Sequence, residues 1–244
     1  MKYLVMAFCL ATVLLPVASP AQLVVFDYSH NPAGSNIYDT FQAQLTSWGY
    51  TVVERQTPLM DNSDAAVIVI LPMFSYLRNN EAYTVEEATW LKNFVDGGGG
   101  LFVAACTYSG DQACIIDLLA PFGITQTAEA IAPPYYDQFN HFELFYGVSA
   151  LGHLYGNAPA IEVAAPSTAV AGNGTFTVVA TYQGPHPAGG SGGALITGDN
   201  EMLGPLNLPG EDNLRFLENA FSWLTYGIVA EEPISLGGVK ALFR

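Results

Sequence analysis

Residues 84–105, Thr-Val-Glu-Glu-Ala-Thr-Trp-Leu-Lys-Asn-Phe-Val-Asp-Gly-Gly-Gly-Gly-Leu-Phe-Val-Ala-Ala, constrain this chain more than any other stretch, because they spell a helix, a tight turn and a buried strand in succession. Thr84 as N-cap with Glu87 three places on is a capping box, and acidic groups in a first turn suit the helix dipole. Trp90, Leu91, Phe94 and Val95 form one apolar stripe. Gly97 is expected to take the left-handed conformation that ends the helix. The apolar run Leu101 to Ala105 then reads as a strand buried on both faces, the signature of an α/β fold.

The same grammar recurs along the chain. Gln22 to Asp27 is an apolar strand that opens into the loop chemistry of Tyr28-Ser-His-Asn-Pro-Ala-Gly34. Tyr38, Phe41, Leu45 and Trp48 recur at helical spacing, Thr51 to Glu54 is a short strand, and Ala65 to Leu71 is a continuous β-branched run. Asp111 to Ala120 reads as a helix. Thr175 to Gln183 alternates like a strand with one wet face, Ala194 to Thr197 is another buried strand, and Leu214, Leu217, Phe221 and Leu224 mark a last amphipathic helix. Residues 125–165 show no clear period; their Pro, Gly and Tyr content suggests a long ordered excursion over the sheet. The order predicts a three-layer α/β arrangement, a mostly parallel sheet with helices on both faces.

At the start, Lys2 precedes an uncharged apolar run from Tyr3 to Val17, with small residues at Ser19 and Ala21. Residues 1–21 therefore read as a signal peptide cleaved before Gln22, the apolar core being too short for a stable span. Residues 22–226 would form one domain, and 227–244 a tail that is disordered or used in sorting. The expected location is secreted or periplasmic, with no membrane span after cleavage. With a formal charge of −15, the surface repels phosphate backbones, so nucleic acid is excluded as a partner, while a small molecule, a sugar or another envelope protein fits. Of the three cysteines, Cys9 leaves with the signal. The remaining pair, Cys106 and Cys114, is read as a disulfide because an even count in an oxidising compartment favours one.

Several segments together resemble the class I glutamine amidotransferase-like superfamily, in the branch of trehalose-utilisation (ThuA-like) proteins, gliding-motility ABC-transport auxiliary domains and the intraflagellar-transport GIFT domain. They are Val24-Val-Phe-Asp-Tyr-Ser-His-Asn31, Leu45 to Val53, Glu87 to Val103 and Leu119-Ala-Pro-Phe-Gly-Ile124. His141 with Gly147-Val148, Ile196-Thr-Gly-Asp199 and the closing Asn213 to Leu224 complete the set. The resemblance implies a flavodoxin-like sandwich without glutaminase activity. It places Cys106 where that fold holds a nucleophile, but Thr107 and Tyr108 follow instead of small residues, and Asp199 and Glu201 stand where a His-x-Glu pair is expected. The tail is similar to short C-terminal endings of exported bacterial proteins, with Leu236 in place of their tryptophan.

Asp27, His30 and Asn31, with Ser29, lie at the end of the first strand, and Asp199 and Glu201 at the end of the last. In open α/β sheets ligands sit outside such strand ends, so these groups form the candidate binding site, facing one crevice. The other reading is that both aspartates only cap loops. Of the four histidines, only His141-Phe-Glu143 has close spacing, and no paired ligand motif occurs, so neither a metal nor a cofactor is expected. Tyr135, Tyr136, Phe139, Phe142, Phe145 and Tyr146 are either a sugar-stacking surface or rings covering the sheet. The expected function is a non-catalytic ligand-binding or protein-interaction domain. Alternatives are a hydrolase or carbohydrate-active enzyme using the strand-end crevice, with Cys106 or a carboxylate reacting, and an envelope-assembly component.

Overall fold

The computed structural model describes residues 22–30, 38–71, 82–105, 115–131, 135–152, 158–185 and 192–226. The expected signal peptide, the C-terminal tail, Asn31, Cys106 and Cys114 lie outside them. Among the described residues no helix is long and apolar enough to cross a membrane.

Four strands are fully apolar, or nearly so, and buried on both faces: β1 (Leu23–Asp27), β3 (Val67–Ile70), β4 (Gly100–Ala104) and β12 (Gly193–Thr197). With β2 (Thr51–Arg55) at their edge they run parallel in the order β2-β1-β3-β4-β12. This is the 2-1-3-4-5 winding of flavodoxin-like folds, whose direction reverses between β1 and β3. Helix α1 (Asp39–Ser47) follows β1, α2 (Val85–Asp96) follows β3, and α3 (Asn213–Tyr226) closes the chain. Phe41 and Leu45 of α1 and Phe216, Phe221 and Leu224 of α3 share one apolar cluster with Phe26 and Phe102. Leu91 and Val95 of α2 pack on the other face against Val25, Ile68, Leu101 and Ile196. The sheet therefore carries a core on each side, as the continuous apolar strands require.

Beyond β12 the sheet turns antiparallel through β11 (Thr177–Gln183), β10 (Thr168–Gly172) and the two-residue β7 (Gln138–Phe139). Residues 125–165 contain strands that show no period in the sequence. β5 (Ile124–Ile131) pairs with β9 (Ala158–Val163), which also touches β11. β6 (Tyr135–Tyr136) and β8 (Leu151–Gly152) form a separate two-stranded sheet.

Helix α2 begins as predicted: Thr84 Oγ1 accepts from the Glu87 N–H at 3.2 Å, and Glu87 Oε2 accepts from the Thr84 N–H at 2.8 Å. Its end differs. Gly97 is right-handed, with its N–H on Asn93 O, and Gly98 takes the left-handed role at φ +106°. The helix thus runs one residue further than the first glycine suggested. At Gly99 a Cβ would lie 2.3 Å from the Phe94 ring, so the run of glycines also makes room for that side chain. Thr84→Ala is expected to lower stability by about 1 kcal/mol, the usual worth of an N-cap, read as a lower urea midpoint at unchanged slope.

The disulfide expectation is corrected. No disulfide is present among the described residues, and Cys106 and Cys114 fall outside them. The expectation rested on count and compartment, neither of which supplies the Cα separation of about 4.4–6.8 Å that a bridge demands.

Candidate functional site

Asp27 ends β1 at the point where the winding reverses, and it is 3% exposed. Three side chains donate to it: Ser29 Oγ to Oδ2 at 2.9 Å, Tyr83 OH to Oδ2 at 2.9 Å, and Asn62 Nδ2 to Oδ1 at 3.3 Å. Each comes from a different segment. Ser29 follows β1, Asn62 caps the 3₁₀ turn Leu59–Asp61 after β2, and Tyr83 precedes the cap of α2. Asn62 is fixed in turn by Arg55 Nη1 on its Oδ1 at 3.4 Å, and Arg55 pairs with Asp64 at 2.6 and 2.8 Å. Burial raises the Asp27 pKa above the ordinary aspartate value, and the hydrogen bonds from Ser29 and Tyr83 only partly oppose this.

The Ser29 hydroxyl also lies 3.0 Å from His30 Nδ1. On its far side, His30 Nε2 faces Glu87 Oε2 at 3.3 Å, and the imidazole stacks on Tyr83 with centroids 4.2 Å apart. A carboxylate, a hydroxyl, an imidazole and a second carboxylate are therefore linked in one chain from β1 to α2. A hydroxyl is thereby placed between a carboxylate that accepts its proton and an imidazole held by a second carboxylate.

Asp199, two residues past the end of β12, lies on the same rim as Asp27, three inter-strand steps away, roughly 14 Å at the usual spacing. It does not join Asp27. Tyr136 OH donates to its Oδ2 at 3.2 Å, the Met202 N–H donates to its Oδ1 at 3.2 Å, and Asn200 Nδ2 reaches Tyr38 OH at 3.3 Å. Tyr136 and Tyr38 belong to the core on the α1 and α3 side, whereas Tyr83 belongs to the core on the α2 side. The sheet thus separates the two aspartates. Asp199 holds the turn Glu201–Leu203 in place, and Glu201 begins that turn. Burial, followed by the charge of Asp199, raises the Tyr136 pKa, so its hydroxyl stays a donor.

Sequence reasoning found Asp27, Ser29 and His30 but missed Asn62 and Tyr83. It read Glu87 only as a cap. The available signal was the winding: a site between β1 and β3 draws on the loop that follows β3, which ends at Tyr83 and Thr84. Among the described residues no group of three His, Cys, Asp or Glu side chains converges to hold a metal ion.

The aromatic residues divide between the two expectations. Phe139, Phe145 and Phe216 stack at 4.3 and 5.4 Å within the core, while Phe142 is 76% exposed and meets Tyr146 edge-on. Two open cavities lie away from Asp27. One, of about 430 Å³, sits between Gln22, Asn93 and the Gly97–Gly99 turn, at the opposite end of the strands. The other, of about 280 Å³, lies along β7 and β10.

No family model and no curated protein matches the sequence. Solved structures do. The N-terminal domain of mmIFT52 superposes with a TM-score of 0.70 at 18% identity, over 85% of this chain and 100% of that one. Exo-β-1,4-mannosidase Op5Man5 from Opitutaceae bacterium strain TAV5 gives 0.52 at 15% identity, over 94% of this chain, which spans only 39% of the mannosidase. The cytoplasmic protein STM1381 from Salmonella typhimurium LT2 gives 0.52 at 13% identity, over 84% of this chain and 97% of that one. At these identities the likeness shows the fold alone, a flavodoxin-like α/β sandwich with a mostly parallel sheet flanked by helices. It does not single out the trehalose-utilisation, gliding-motility or GIFT branch.

Proposed function

We propose that this chain is a hydrolase of carboxylic esters that works at the β1 rim with Ser29 as nucleophile. One observation carries the reading: the Ser29 hydroxyl stands between Asp27 Oδ2 at 2.9 Å and His30 Nδ1 at 3.0 Å, and His30 is held by Glu87. Ser29 Oγ attacks the acyl carbon while its proton passes to Asp27, whose proton affinity burial has raised. That proton then goes to the departing alkoxide, leaving an acyl-serine. Water attacks the acyl group while the same base takes its proton, and that proton passes to Ser29 Oγ as the acyl–oxygen bond breaks, releasing free acid and restoring the serine. His30, clamped by Glu87 and by the Tyr83 ring, fixes the hydroxyl between its partners.

The apolar run behind Lys2 supports export, and the acidic surface favours a neutral ester over a phosphorylated one. The mannosidase shows by its name that an enzyme can contain this fold; its substrate is not carried over. The likeness to the mmIFT52 domain supports the GIFT-type branch within the superfamily. A fluorophosphonate probe followed by peptide mass spectrometry tests the reading. Ser29 should be labelled, and Ser29→Ala should lose labelling together with p-nitrophenyl acetate turnover by on the order of 10³-fold. Labelling at another residue, or undiminished turnover in the variant, would sink it.

A second reading, a non-catalytic binding or interaction domain, is favoured by a different observation. Glu87 Oε2 already accepts from the Thr84 N–H and from Thr84 Oγ1, both at 2.8 Å, so its contact with His30 shares an oxygen committed to the helix cap.

A further inference from the structure

The cavity along β7 and β10 brings amide, hydroxyl and aromatic residues together on one exposed groove. None of the residues lining it is charged, in a chain of formal charge −15. It is lined by Gln138, Asn140, Thr175, Thr177, Phe139 and Phe176, with small β10 residues between them, and the Gln138 amide donates to Asp137 Oδ1 at 3.4 Å. At about 280 Å³ it matches the lower end of small-molecule sites, about 300 Å³.

Amides and hydroxyls that both donate and accept, beside flat apolar rings, suit a ligand that is uncharged, rich in hydroxyl groups and apolar on one ring face. We infer that this groove is a binding subsite for a neutral oligosaccharide. Its parts are held before any ligand arrives. Phe139 is fixed by stacking on Phe145 at 4.3 Å with an interplanar angle of 10°. Asn140 Nδ2 donates to Ala169 O at 2.7 Å, which orients the carboxamide. The β10–β11 turn is pinned by Asn173 Oδ1, which accepts from the N–H groups of Thr175 at 3.0 Å and Phe176 at 2.9 Å. Preorganisation of this kind reduces the ordering cost of binding.

The groove lies five inter-strand steps from β1, roughly 24 Å, so it stands or falls independently of the ester chemistry. Saturation-transfer NMR on the full chain, with mannobiose and cellobiose as probes, tests it. Transfer to at least one disaccharide is expected, and Gln138→Ala and Thr175→Ala should each weaken binding by roughly tenfold. Both residues are exposed, so the variants should fold; unchanged far-UV circular dichroism checks this. No transfer from either sugar at about 10 mM, where even millimolar binding is seen, would overturn the inference. So would binding that both folded variants retain in full.

Discussion

Asn213→Ala is expected to lower the melting temperature by roughly 10 °C, the equivalent of about 3–5 kcal/mol in a domain of this size. Asn213 is fully buried at the start of α3, and its side chain behaves as an extra peptide group added to β8. Its Nδ2 donates to Gly152 O at 2.7 Å and to Asn207 O at 3.0 Å, and its Oδ1 accepts from the Gly152 N–H at 3.2 Å. Alanine strands both polar groups of Gly152 and removes a partner of Asn207 O. A buried group left without its bond costs about 1–3 kcal/mol, which sets the size of the effect. Differential scanning calorimetry of variant and parent checks it. A shift of under about 2 °C would mean that water replaces the amide at little cost.

Asp27→Ala is the second large effect, about 2–3 kcal/mol, because Ser29, Tyr83 and Asn62 lose a common acceptor inside the protein. Its size should depend on pH. The folded Asp27 holds its proton to higher pH than an unfolded aspartate at 3.8 does, because burial raises its pKa. Between those two values the folded state binds more protons than the unfolded one, so this residue's contribution falls as pH rises. The parent's advantage over the variant is therefore larger at about pH 4, just above the unfolded value, than at pH 7. Urea titrations of both proteins at the two values measure it. An advantage that grew toward neutral pH would show that the carboxylate is stabilised as an ion, contrary to its surroundings.

The central strands of the parallel half were legible because they are buried on both faces and so read as unbroken apolar runs, Val67 to Ile70 being the clearest. In the antiparallel half β11 was legible, from the alternation of Thr175 to Gln183, but the other strands were not. β6, β7 and β8 are two residues long, too short for any period, and β5 and β9 mix threonine, alanine and proline with few large apolar residues. Their strand character comes from partners distant in the sequence, with Ile124 opposite Val163 and Thr177 opposite Ile161. At the site, Asp27 and His30 were legible from their place after a buried strand. Asn62 and Tyr83 were not, since each arrives from another loop and neither carries a motif. The expectation that Asp27 and Asp199 face one crevice used the shared rim but lacked the face, which depends on the tertiary partners Tyr83 and Tyr136.

The place of β12 has a consequence for how the chain comes together. It is the only described strand that bonds both to parallel β4 and to antiparallel β11, yet it enters at residue 193, after every other described strand. Until it emerges, a growing polypeptide holds two half-sheets with two open edges and no seam between them. Such late closure through distant pairings slows assembly and leaves edges free to recruit neighbours, so this molecule acquires its native shape as a whole chain and not progressively from its beginning.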